Sequence, residues 1–247
     1  MGHLGGKSRL AKRIVNMFPP NVDIYVEPFI GAGSVYLRKQ PSKTEVISDT
    51  DRTIIDVWKD MKKVGDHVKH MKFVCSKKTF DEQKKLKTTD PVKRLFRNLY
   101  VKKFSFGGMG WNVKTAKYCK GKNEGQYIKK HAEKIKERLA TTTILRQDWK
   151  KVVAKYDKKK NVLFYLDPPY SSQIAKVWTY KRMDAKHLIN PLKHIKNKFI
   201  LSFEDNPSSR KLFKNAGFNI RRLKTKYNVQ PTKMEVVTEL IVTNFPN

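Results

Sequence analysis

The stretch NVLFYLDPPYSS (161–172) decides the fold. Residues 161–166 are almost wholly apolar, the pattern of a strand covered on both faces, as the strands of parallel sheets are. The run stops at an acid, Asp167, followed by Pro168, Pro169 and Tyr170. Each proline fixes φ and removes an N–H, so the loop is stiff and its carbonyls face outward. Pro168 also pushes Asp167 towards an extended backbone.

Other segments repeat this texture on either side. VDIYVEPF (22–29) reads as a buried strand followed by a glycine turn, and SVYLRKQ (34–40) as a helix opening from that turn. TEVISD (44–49) reads as a second strand ending in an acid. A helix from Asp51 follows, with Ile54, Ile55, Val57, Trp58 and Met61 at helical spacing. After residue 138 come strand TTILRQ (142–147), a helix capped by Asp148, strand KFILSF (198–203), a helix stopped at Gly217, and a closing pair of strands in 218–245. Strands alternating with helices imply a doubly wound α/β sheet, whose ligands bind past the carboxyl ends of its strands.

Between 59 and 138 lysine becomes dense and strand signals vanish. PVKRLFRNLYVKKF (91–104) and YIKKHAEKIKERL (127–139) read as helices flanking a Gly-rich basic stretch. The expected organisation is a catalytic domain from 1–58 and 139–247 with a helical insertion at 59–138. The 247 residues carry a formal charge of +32, from 54 Lys and Arg against 22 Asp and Glu. Such a field attracts polyanions and makes their binding salt-dependent, although solubilising lysines would give the same count. Arg94, Arg97, Lys102, Lys103 and Lys114, beside Trp111 and Asn112, are the candidates for nucleic-acid contacts, since Arg and Asn read base edges and an aromatic can intercalate. No apolar run is long enough to span a membrane. Cys75 and Cys119 have no metal-ligand spacing and read as two unpaired thiols of a reducing, intracellular compartment; no metal is expected.

Three short motifs carry chemistry. In EPFIGAGSV (27–35), Gly31 and Gly33 allow a tight turn and close approach of a ligand to the backbone. Asp49, at the end of the next strand, can accept hydrogen bonds from a ribose diol, so a nucleoside-containing cofactor is expected. GGKS (5–8) is not a phosphate loop, because position 1 is Met rather than Gly and no strand precedes it. In DPPY (167–170), the Asp167 carboxylate and the Pro168 carbonyl are two acceptors beside the flat face of Tyr170. An exocyclic amino group on a planar base is their complement. A plain proline turn with an exposed acid would need neither the aromatic nor the buried strand.

GGK, EPFIGAGSV, DPPY and VTELIVTN, in that order, resemble the Dam-type DNA adenine N6-methyltransferases. The resemblance covers most of the chain and is weak over 59–138. It implies a Rossmann-like α/β fold with a mixed seven-stranded sheet and an inserted helical recognition subdomain. It implies S-adenosyl-L-methionine (AdoMet) as methyl donor, double-stranded DNA as substrate, and a cognate restriction endonuclease as a possible partner on the same site. By the same resemblance Gly31 and Gly33 approach the methionine part of AdoMet and Asp49 holds its ribose. Asp148 lies near its adenine, and His3, Lys7, Glu27, Phe29 and Asp167 complete the cofactor set. Asp167, Pro168, Pro169 and Tyr170 would be the catalytic loop, receiving an adenine flipped out of the duplex.

The chain departs from the family at three places. His3 stands where an aromatic is usual, Phe203 and Glu204 stand where Ser-Asn is frequent, and the recognition region after FSFGGMGWNVK looks shortened. The target sequence is therefore not carried over. RNA adenine and cytosine N4 remain as alternative substrates, although Ser before PPY is commoner in the cytosine enzymes. A catalytically silent nucleic-acid-binding subunit is the alternative of a different class.

Overall fold

In the computed structural model, residues 7–105, 125–170, 183–230 and 233–246 are described, with backbone alone at 226–230 and 233–235. Seven strands form one mixed sheet in the order β3-β2-β1-β4-β5-β7-β6. They are β1 (Ile24–Glu27), β2 (Thr44–Asp49), β3 (Thr143–Arg146), β4 (Val162–Leu166), β5 (Lys198–Glu204), β6 (Asn219–Gln230) and β7 (Lys233–Thr243). The helices are α1 (Ala11–Val15), α2 (Arg52–Val64), α3 (Lys77–Lys85), α4 (Pro91–Phe104), α5 (Gln126–Leu139), α6 (Trp149–Tyr156), α7 (Ala185–Lys193) and α8 (Pro207–Asn215). Alternation of strands and helices with a parallel centre makes this a Rossmann-like α/β fold. The chain divides into two compact units: Asp51–Arg146, together with residues 1–6, and Lys7–Thr50 with Gln147–Asn247.

In the second unit, β4 is buried at all of its residues, as its apolar run requires. It runs parallel to β1, with Val26 beside Phe164, and to β5, with Leu166 beside Leu201. β1 also runs parallel to β2, with Glu27 beside Ile47. β7 inserts antiparallel between β5 and β6, and its Glu239 pairs with Glu204 at the carboxyl end of β5. These registers collect Asp49, Glu27, Asp167, Glu204 and Glu239 at one edge of the sheet. A strongly basic chain thus presents carboxylates at the edge where an α/β sheet binds ligands.

The first unit is helical. The Asp51 side chain caps α2 by accepting from Thr53 and Ile54 N–H, and Asp90 caps α4 by accepting from Val92 and Lys93 N–H. Each such cap stabilises its helix by about 1 kcal/mol. Phe73, Phe96, Tyr100 and Phe104 form a chain of ring contacts with centroids 5.5, 5.4 and 4.6 Å apart. Gly65 and Gly125 are tight: a Cβ at Gly125 would lie 2.4 Å from the Phe73 ring.

Two expectations are corrected. Residues 34–40 do not form a regular helix but a run of turns, with Leu37 N–H on the Gly33 carbonyl and Lys39 N–H on the Val35 carbonyl. Gly33, at φ +65°, lies outside helical geometry just before the segment, and the Val35 carbonyl is shared by Arg38 and Lys39 N–H, so three- and four-residue turns mix instead of propagating as one helix. Cys75 is disulfide-bonded rather than an unpaired thiol. Spacing along the chain does not encode which cysteines meet after folding, and the reading of a reducing compartment loses its support. Among the described residues no helix is long and apolar enough to cross a membrane.

Candidate active site

The site lies within the second unit, at the carboxyl ends of β1, β2 and β4. After β1 the chain turns through Gly31 and Gly33, at φ +43° and +65°. Both values lie in the left-handed region that glycine enters without a steric cost. The turn is anchored by Ile30 N–H on the Ser48 carbonyl (2.9 Å) and by Gly31 N–H on Asp49 Oδ2 (3.1 Å). A Cβ at Gly31 would meet no atom within 4 Å. At Gly31 a side chain would therefore project into open space, next to a backbone N–H held by Asp49.

Across the β1–β4 boundary lies a charged cluster. Lys7, 4% exposed, places Nζ 2.8 Å from Asp167 Oδ1 and donates to the Tyr170 hydroxyl at 2.7 Å. The same hydroxyl donates to Glu239 Oε2 at 2.5 Å, and Glu239 Oε1 lies 3.7 Å from the ammonium. The Tyr170 ring packs on Phe203 with centroids 5.1 Å apart, and Phe203 is held edge-on by Phe213 at 5.4 Å. Burial raises the Asp167 carboxyl to about 6; Lys7 opposes the rise and Glu239 adds to it. Asp167 is consequently ionised at neutral pH, yet is more basic than an ordinary aspartate. Pro168 is buried and Pro169 exposed, and the Pro169 carbonyl accepts from Met183 N–H at 2.9 Å.

Glu27 sits deeper. It is 2% exposed and its Oε2 accepts from Tyr25 Oη at 2.6 Å. Burial raises its carboxyl to about 8, with the charge of Asp167 adding to the rise. Glu27 is thus a neutral, buried acid beneath the loop. Phe29 is half-buried, its ring 5.9 Å from Trp149. Asp148 is exposed and caps α6 by accepting from Lys150 N–H.

A family model, D12 class N6 adenine-specific DNA methyltransferase, matches residues 3–229. The chain belongs to that family. As a member, the enzyme uses AdoMet and acts on DNA. It is 25% identical to the type II methyltransferase M1.LlaDCHI of Lactococcus lactis subsp. cremoris, covering 98% of this chain and 94% of that protein. It is 24% identical to the DNA adenine methylase of Haemophilus influenzae, covering 96% and 90%. It also aligns with the structure of precorrin-6y C5,15-methyltransferase from Geobacter metallireducens GS-15, at 6% identity, TM-score 0.43, and coverage of 97% and 88%.

Gly31 leaves room for the close approach that a bulky donor such as AdoMet needs, and the acid at the end of β2 holds the turn by accepting from the Gly31 N–H. Among the described residues no group of three His, Cys, Asp or Glu could hold a metal ion.

Of the residues singled out in the sequence, the structure groups Lys7, Asp167 and Tyr170 directly and sets Gly31, Gly33 and Asp49 together at the neighbouring strand ends. Two candidate DNA contacts turn inward within the first unit. Arg94 binds Asp60 through Nε (2.8 Å) and a terminal nitrogen (2.6 Å), and the Asp60 side chain is 3% exposed. Arg97 donates to Asn98 Oδ1 and to the Leu86 carbonyl. Lys102 is half-buried and Lys103 exposed at the end of α4. His3, Trp111, Asn112 and Lys114 lie outside the described residues.

Sequence reasoning left two participants unassigned, Glu239 and Phe203. Glu239 is an acid inside the apolar run VTELIVTN, and this signal was open to reading. Phe203 reads in the sequence only as a departure from the Ser-Asn frequent at that place, and its role as backing for Tyr170 emerges from the fold.

Proposed function

We propose that the enzyme transfers a methyl group to the exocyclic amino group of an adenine extruded from a short, specific duplex site. The observation that carries this is the Lys7–Asp167–Tyr170 cluster at the end of β4, beside the open Gly31–Asp49 turn. AdoMet supplies an electrophilic methyl group. Tyr170 offers the flat face on which a base can lie, with Phe203 behind it. Asp167 accepts a hydrogen bond from the amino group, which localises the nitrogen lone pair and stabilises positive charge as it develops. The lone pair forms the new N–C bond as the methyl–sulfur bond breaks, and the surplus proton leaves the amine along that hydrogen bond or to solvent. Alignment supplies the rest of the rate.

Gly31, Gly33 and Asp49 would hold the donor. Phe29 and Asp148 would border it, and Glu27 would support the turn from below. Lys102 and Lys103, with Trp111, Asn112 and Lys114, would contact the duplex, whereas the inward bonds of Arg94 and Arg97 favour a structural role for those two. Residues 59–138 would be the recognition insertion. The likeness to a type II methyltransferase supports a cognate endonuclease acting on the same site. A DNA substrate supports an intracellular place of action.

The test is the Asp167→Ala variant, assayed for N6-methyladenine in duplex DNA and for binding to the same DNA. Loss of methylation with retained DNA affinity is expected. Methylation at the wild-type rate would refute the assignment.

A further inference from the structure

Glu239 belongs neither to the Gly31–Gly33 turn nor to the DPPY stretch, yet it reaches that stretch. Its pairing with Glu204 places it at the carboxyl end of β5, and it is 5% exposed. A buried acid on an apolar strand is costly unless it is bonded. Here one oxygen accepts the Tyr170 hydroxyl at 2.5 Å and the other lies 3.7 Å from the Lys7 ammonium. The Tyr170 oxygen therefore accepts from Lys7 and donates to Glu239, held from both sides, while its ring rests on Phe203.

We propose that Glu239 is a positioning residue for methyl transfer: it fixes the tilt of the Tyr170 ring on which the target base lies, and its charge leaves the Lys7–Asp167 pair with a net negative environment for the amine that becomes cationic. The inference rests on the methyltransferase reading above. Two consequences follow from one cation facing two carboxylates. Without Glu239, the cluster would lose one of its negative charges while Lys7 kept Asp167. Without the Glu239 acceptor, the Tyr170 hydroxyl would lose an anchor and the ring could turn away from the base.

The experiment compares wild type, Glu239→Gln, Glu239→Asp, Tyr170→Phe and the Glu239→Gln/Tyr170→Phe double variant. Each is assayed for kcat, DNA KM, and the pH profile of kcat/KM, with melting temperature and AdoMet affinity as folding controls. Among the described residues, the charged and titratable groups facing Asp167 are Lys7, Glu239, Tyr170, Glu27 and Tyr165. Removing the negative charge of Glu239 makes Asp167 easier to ionise, so the acidic limb should move to lower pH. Glu239→Gln should lower kcat about 10- to 100-fold with DNA KM nearly unchanged. Its effect should shrink in the Tyr170→Phe background, and Glu239→Asp should recover part of the rate. A folded Glu239→Gln enzyme with wild-type kcat and an unmoved limb overturns the proposal. If Glu239→Gln does not fold, Tyr170→Phe breaks the same bond from the other side, and wild-type kcat there overturns it equally. A wild type that transfers no methyl group to DNA overturns the underlying activity as well, whereas an active wild type with unaffected variants overturns this proposal alone.

Discussion

The Lys7 ammonium lies 2.8 Å from the Asp167 carboxylate although the two residues are 160 positions apart in the chain. The pairing ties the first described residue to the end of the central strand and sets the charge state of the acid. Lys7 favours the ionised carboxylate and so lowers its pKa, against burial, which holds it at about 6. Lys7→Met removes the opposing charge. The acidic limb of kcat/KM should then move above pH 6, and the rate at neutral pH should fall. A limb that stays in place, or moves downward, contradicts the pairing. The shift is opposite in sign to that expected for Glu239→Gln, so the two variants check each other.

Glu27 gives a pH dependence of stability with the same sign convention. Its carboxyl is raised from 4.5 to about 8, so the fold favours the protonated form. The stability that this contributes is fully present below about 4.5 and is lost as pH rises through about 8. Wild type should thus become easier to unfold by urea as pH rises from about 5 to about 8, and level off above that. Glu27→Gln, which carries a neutral group of similar shape, should remove most of that loss. An identical loss in the variant would show that another group carries it.

The sheet was legible because its strands announce themselves. NVLFYL, TEVISD and KFILSF are short β-branched or aromatic runs bounded by turn residues, and they appear as β4, β2 and β5 within a residue or so of their expected ends. Caps were legible for the same local reason: Asp51 and Asp148 accept from the N–H groups of the first turns. Residues 34–40 misled because some of their bonds do span a helical turn, but the Val35 carbonyl is shared between Arg38 and Lys39 N–H and the segment stays a run of turns. Arg94 misled differently. A basic residue on a basic helix looks solvent-facing, and nothing local reveals that Asp60, on another helix, is buried opposite it. Glu239 shows as an acid within the apolar run VTELIVTN, but its partner Tyr170, and the place of Phe203 behind that ring, depend on long-range strand pairing.

Arg94 and the lysines at the end of α4 should separate stability from DNA affinity. Arg94→Ala leaves the Asp60 carboxylate buried without its bidentate partner, an arrangement that costs roughly 3 kcal/mol. Urea denaturation should show that loss. Lys102→Ala and Lys103→Ala should leave the denaturation midpoint nearly unchanged. If each touches a phosphate, each should flatten the slope of log affinity against log salt by about 0.9. Reversal of these two patterns, with Arg94 governing the salt slope and the lysines governing stability, would return Arg94 to the DNA contacts.

Two glycines isolate the cofactor loop from ordinary backbone strain. Gly31 and Gly217 both have positive φ, at +43° and +86°, and an added Cβ would meet no atom within 4 Å at either place. Alanine at each position therefore carries a similar backbone penalty of about 1–2 kcal/mol, with no local clash to complicate it. Gly217 follows the Ala216 cap of α8, outside the turn held by Asp49. Gly31 lies in the turn held by Asp49, where AdoMet would approach. Gly217→Ala should lower the melting temperature and leave AdoMet affinity intact. Gly31→Ala should lower the melting temperature by a similar amount and also weaken AdoMet binding measured by calorimetry, because the new methyl group occupies the space that the cofactor needs. Equal AdoMet affinity in the two variants would mean that the open side of Gly31 faces solvent rather than the cofactor, and the donor site would have to be sought elsewhere along the carboxyl edge of the sheet.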